Sequence, residues 1–135
     1  FLGWMRFLSS SPTAGQSYAI LQNWAESLDP PFSCGEELLV NLGSQDIEDG
    51  ACYVIRTASS TSVRKATILP DGASVMFFCK TPINTYTSTF RVDEIHLNES
   101  RQFETDWRQP GALLLGRIDA TTRSLLPRVH SFFSS

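Results

Sequence analysis

Short runs of alternating apolar and polar residues recur along most of the chain, and turn signals separate them. Residues 18–24 (YAILQNW) are rich in aromatic and branched side chains and predict a strand. The next segment, ESLDPPFSCGE, is turn-rich, and its Pro30-Pro31 pair is incompatible with a central strand. Residues 37–41 (ELLVN) predict a short strand, and LGSQDIEDG a turn closing on Asp49-Gly50. Two stronger strands follow at 51–57 (ACYVIRT) and 62–69 (SVRKATIL), joined as a hairpin through the polar ASST. A turn at Pro70-Asp71-Gly72 leads into ASVMFFC, and residues 112–118 (ALLLGRI) predict a buried strand. The opening FLGWMRFL predicts one or two helical turns or a docking arm, ended by the loop signal SSSPTAG. Residues 82–108 are polar and give no clear element, and 122–133 form a moderately apolar tail. Strands every 8–12 residues with turns between them indicate a mainly β sandwich or barrel-like fold.

Composition narrows the class without changing that picture. The 135 residues suffice for one domain. With 41% hydrophobic and 19% charged residues, the chain has the make-up of an ordinary globular protein. A net charge of −3 and scattered basic residues argue against direct nucleic-acid binding by this chain. No apolar run approaches the ~18 residues of a membrane span. Opening on Phe1 rather than Met, the sequence reads as a piece of a longer chain. Cys34, Cys52 and Cys79 are odd in number and unrelated in spacing, which predicts free thiols in a reducing cytoplasm rather than a disulfide framework or zinc site. His96 and His130 lie in unrelated contexts and read as solvated or core residues. No cofactor motif or Gly-rich phosphate loop is present.

The order of the turns carries the functional signal. Ser27 sits in ESLDPPFSCGEELLV, after one strand and before the next, with Pro30, Gly35 and Leu38-Leu39 at fixed offsets. SQDIEDGACYVIR, SVRKATILPDG and GALLLGRI follow in turn. This ordered set, spanning about residues 18–118, resembles the C-terminal, Ser-Lys self-cleaving domain of LexA-like and phage-type transcriptional repressors. Ala25 and Leu28 stand where the family's motif has glycine and methionine. The resemblance implies a LexA/signal-peptidase-like β-barrel or sandwich over residues 18–135, preceded by an arm or linker remnant at 1–17. It also implies Ser27 as nucleophile and a lysine on the strand SVRKATIL as its base.

That base is the open question. A serine hydroxyl needs a partner to take its proton, and a buried lysine can serve because burial favours its neutral form. Carried without a gap from Ser27, the alignment places Arg64 at the lysine position, and arginine stays protonated. Either a one-residue bulge brings Lys65 into register, or the domain has lost its base and keeps only the binding role. Without the resemblance, Ser27 reads as a turn serine with a local backbone hydrogen bond. The family cuts an Ala-Gly or Cys-Gly bond upstream of the serine. Ala14-Gly15 is too close to Ser27 to fold back onto it and reads as a loop.

The expected function is therefore regulation of a repressor: homodimerisation, with self-cleavage if the dyad works. An upstream module absent from this chain would contact the DNA, and a recombinase filament stays open as activator. The residues around Leu113–Leu115 and the SLLPRVHSFF tail are expected contributors to the dimer. Two other classes remain: a Ser-Lys hydrolase acting on other chains, and a non-enzymatic β interaction module.

Overall fold

The computed structural model describes residues 5–13, 16–44, 46–103 and 106–121, with side chains from residue 17 onward. The fold is mainly β, as the spacing of turns predicts. Strands β1 (Met5–Thr13), β2 (Gln16–Asn23), β3 (Glu37–Asn41), β4 (Cys52–Arg56), β5 (Thr61–Ile68), β6 (Ser74–Lys80), β7 (Thr85–Arg91), β8 (Ile95–Leu97) and β9 (Ala112–Thr121) follow in chain order. One turn of 3-10 helix, Val92–Glu94, precedes β8. The sheet runs β1-β2-β3-β9-β4-β5-β6-β7, with β8 added parallel to β9.

Met5–Thr13, which include part of the segment expected to be an arm or short helix, form β1, which pairs antiparallel with β2 through a bulge between Phe7 and Ser9. Ala14-Gly15 and the tail beyond residue 121 lie outside the described residues. The polar stretch that gave no element holds β7 and β8.

The sheet buries side chains on both faces. Ala19, Leu21, Leu38, Val40, Val54, Val63, Leu113 and Leu115 pack on one side with Phe32 and Leu42. Tyr53, Ile55, Ala66, Val75, Phe77 and Leu114 pack on the other with Ile95. Alternation along β4 and β9 explains the division, because successive side chains point to opposite faces. It also explains why ALLL is apolar without interruption: a strand covered on both sides needs apolar residues at every position. This corrects the expectation that Leu113–Leu115 is available to a partner. Leu113 is 5% exposed, and Leu114 and Leu115 are fully buried.

Gly116 marks the closest approach of two strands. A Cβ built there would lie 2.5 Å from the Asn41 carbonyl oxygen and 2.8 Å from Val40 Cγ1. Only glycine lets β9 pass β3 at that distance.

Candidate functional site

The hydrogen-bond registers place a fork in the sheet. β5 and β6 pair from Ile68–Val75 to Lys65–Phe78, where their ladder ends. Beyond that point Lys80 pairs instead with Asp29: each backbone N–H of the pair donates to the other's carbonyl, at 2.7 and 3.3 Å. The Leu28 N–H also donates to the Lys80 carbonyl, at 2.7 Å. Residues 27–29 thus enter where β5 and β6 part.

The turn that supplies this plug is locally determined. Ser27 and Phe32 exchange backbone hydrogen bonds of 2.9 and 3.2 Å around the Pro30-Pro31 pair. Phe32 anchors the turn in the core beneath it. Asn23 Nδ2 donates to the carbonyls of Ala25 and Ser33, at 2.7 and 3.1 Å. The Gly35 N–H returns to the Asn23 carbonyl at 2.6 Å, with Gly35 at φ +88°, a conformation that favours glycine. The Asp29-Pro30 peptide is cis. The motif positions Pro30 and Gly35 thus shape the turn that presents Ser27.

Ser27 is 9% exposed, and its hydroxyl donates to the Pro30 carbonyl. That is the local backbone bond expected of a turn serine. Cys79, on β6, is the chain neighbour of Lys80, whose backbone pairs with Leu28 and Asp29, so the Ser27 turn lies beside it. Burial pushes the Cys79 thiol above its ordinary range, against the opposing influence of the Arg64 charge and the Ser27 hydroxyl.

Arg64 and Lys65, the two alternatives for the base, point to opposite faces of β5. Arg64 is 8% exposed. Its Nε donates to Ser62 Oγ at 3.0 Å, and its guanidinium carbon lies 5.4 Å from the centre of the Tyr86 ring. Its Nη1 is buried and has no acceptor among the described residues. Burial lowers the pKa of Arg64, only partly offset by Cys79 and Tyr86.

Lys65 has a different neighbourhood. Its ammonium donates to both oxygens of Asp29, at 2.9 and 3.0 Å, and lies 5.6 Å from the centre of the Phe78 ring. It faces Cys52, its register partner on β4. Burial raises the Cys52 thiol to about 11, with Lys65 lowering it and Asp29 raising it. Arg64 therefore lies on the Cys79 side of β5, with Cys79 opposite it one step beyond the Lys65–Phe78 pair, while Lys65 is paired with Asp29.

Sequence reasoning found Ser27, Arg64 and Lys65 but missed Ser62, Cys79 and Tyr86. Cys79 reads as one more apolar position in VMFFC, and only the fork shows that it lies beside the Ser27 turn. The other two cysteines are also free, Cys34 exposed and Cys52 half-buried. His96 packs against Trp107, with ring centres 4.9 Å apart, while His130 lies outside the described residues. Among the described residues there is no metal-binding cluster of His, Cys, Asp or Glu, and no helix long and apolar enough to cross a membrane.

No protein-family model, curated protein or solved structure matches the chain.

Proposed function

We propose that this chain is the regulatory domain of a transcriptional repressor, a homodimerising unit whose Ser-Lys self-cleavage site is arrested by arginine. The observation that carries this reading is the register at the fork: Cys79 falls opposite Arg64 one step beyond the Lys65–Phe78 pair, and the Ser27 turn pairs with Lys80 beside it. The residue beside the serine's neighbour is the one that the ungapped alignment puts at the lysine position. A guanidinium there cannot accept the serine's proton. The lysine on the same strand, Lys65, is turned to the other face and paired with the Asp29 carboxylate. What remains of the function is binding: holding two copies together so that upstream DNA-binding modules occupy paired half-sites.

The test uses the full-length protein at alkaline pH. Wild type is expected to stay intact, and Arg64→Lys to gain cleavage that a further Ser27→Ala change abolishes. Sedimentation is expected to show a dimer. A monomer at high concentration would overturn the reading. Cleavage of wild type that is lost in both Ser27→Ala and Lys65→Ala would instead establish an active peptidase with Lys65 as base.

A further inference from the structure

A buried guanidinium with no counter-charge is the least explained feature of the fork. Arg64 has no ion pair among the described residues: the carboxylates in this region are taken by other cations, with Asp29 on Lys65 and Glu48 and Asp119 on Arg117. The groups around Arg64 are Ser62, Tyr86 and Cys79, which falls opposite it one step beyond the Lys65–Phe78 pair, and the Ser27 turn pairs with Lys80 next to Cys79. None of them is a carboxylate, and burial pushes the Cys79 thiol above its ordinary range, which favours its neutral form. Burying an unpaired charge costs several kcal/mol, and an unsatisfied buried donor adds to that. An arginine in such a place is stabilised by any anion that reaches it.

We propose that the Ser27–Arg64 fork is a binding site for a carboxylate. A guanidinium matches a carboxylate edge to edge, with two parallel N–H donors on two oxygens. Nε is held by Ser62 and Nη1 is unspent, so the fork has donor capacity on the side away from Ser62. The Ser27 hydroxyl supplies a neutral donor once it turns from the Pro30 carbonyl. One cation calls for a monoanion, which favours a carboxylate over a phosphate dianion. Tyr86 covers the guanidinium and is itself half-buried on the outermost strand, so the ligand enters past its ring. The carboxylate is that of a small organic acid or of a peptide C-terminus. The site rests on the surroundings of Arg64 alone and does not depend on the repressor reading.

The experiment measures the thermal midpoint of the protein in sodium acetate, in sodium phosphate and sodium chloride of equal ionic strength, and in acetamide. It adds a short peptide with a free or an amidated C-terminus. Acetate is expected to raise the midpoint by about 5 °C at ten times its dissociation constant, and chloride and acetamide to leave it unchanged. Arg64→Met is expected to abolish the response, and Ser27→Ala to weaken affinity about tenfold. The Nε–H resonance of Arg64 in wild type is expected to shift with acetate, a readout that needs no variant to fold. A response to the free peptide alone would assign the ligand to chain ends, and a response to acetate as well would extend it to small acids. Equal responses in wild type and Arg64→Met, a stronger response to phosphate than to acetate, or a still resonance would each overturn the site.

Discussion

Lys65 Nζ lies 2.9 and 3.0 Å from the two carboxylate oxygens of Asp29, and this pair fastens the plug to the strand beside it. The lysine side chain is 33% exposed and the aspartate 45%, so water screens their attraction. Exposed pairs of this kind contribute at most about 1 kcal/mol. Lys65→Met and Asp29→Asn are each expected to lower stability by less than about 1 kcal/mol in urea unfolding, and less still at high salt. A loss of several kcal/mol would show that the pair bears much more of the fold than its exposure allows.

Tyr53 is fully buried, yet its hydroxyl has two backbone partners. It accepts from the Glu48 N–H at 2.7 Å and donates to the Asp46 carbonyl at 2.9 Å, fixing the turn before β4. Tyr53→Phe keeps the ring and strands both groups. The expected cost is about 1–3 kcal/mol, with faster hydrogen exchange at Glu48. Unchanged exchange there would mean that the turn holds without the phenol.

Gly116→Ala tests the contact between β9 and β3. The added methyl would meet backbone at 2.5 Å, and a carbonyl within a ladder has little room to yield. A destabilisation of at least about 2 kcal/mol is expected from chemical unfolding. A neutral result would show that the two strands part freely at this point.

Stability should fall in mild alkali. The Cys52 thiol is raised by burial from 9.0 to about 11, and burial also raises Cys79 and Tyr53. A raised acid holds its proton more tightly in the folded chain. Its contribution is complete below pH 9 and is lost as pH rises from 9 towards 11, because the unfolded chain ionises first. Cys52→Ala is expected to flatten part of that decline in the pH dependence of the unfolding midpoint. The same slope in wild type and variant would remove Cys52 as a source.

The strands that the sequence made legible are those whose burial is one-sided or complete. YAILQNW, ELLVN, CYVIR and ALLLGRI each match a strand to within a few residues, because apolar periodicity and turn residues agree. β7 was hidden because its residues, TYTSTFR, are never fully buried, and an outer strand of this kind has little apolar signature. β1 was hidden by SSSPT, a loop composition that pairing with β2 overrides. In the site, Ser27, Arg64 and Lys65 came forward only through the resemblance of the ordered motifs, which gives their offsets along the chain and not their geometry. Which of the two basic residues meets the serine's surroundings depends on strand parity and on where the β5–β6 ladder stops. Neither is written in local sequence.

The fork also sets an order of events. Strands β5, β6 and β7 form a local meander, and their pairing closes only short loops. The plug at residues 27–29 must arrive from more than thirty positions earlier in the chain to meet Lys65 and Lys80. Closing that longer loop gains few contacts until the meander exists to receive it. Substitutions in the plug are thus expected to speed unfolding while leaving the refolding rate nearly unchanged, as for contacts made after the barrier. Ser27 would take its place only once the rest of the sheet had formed.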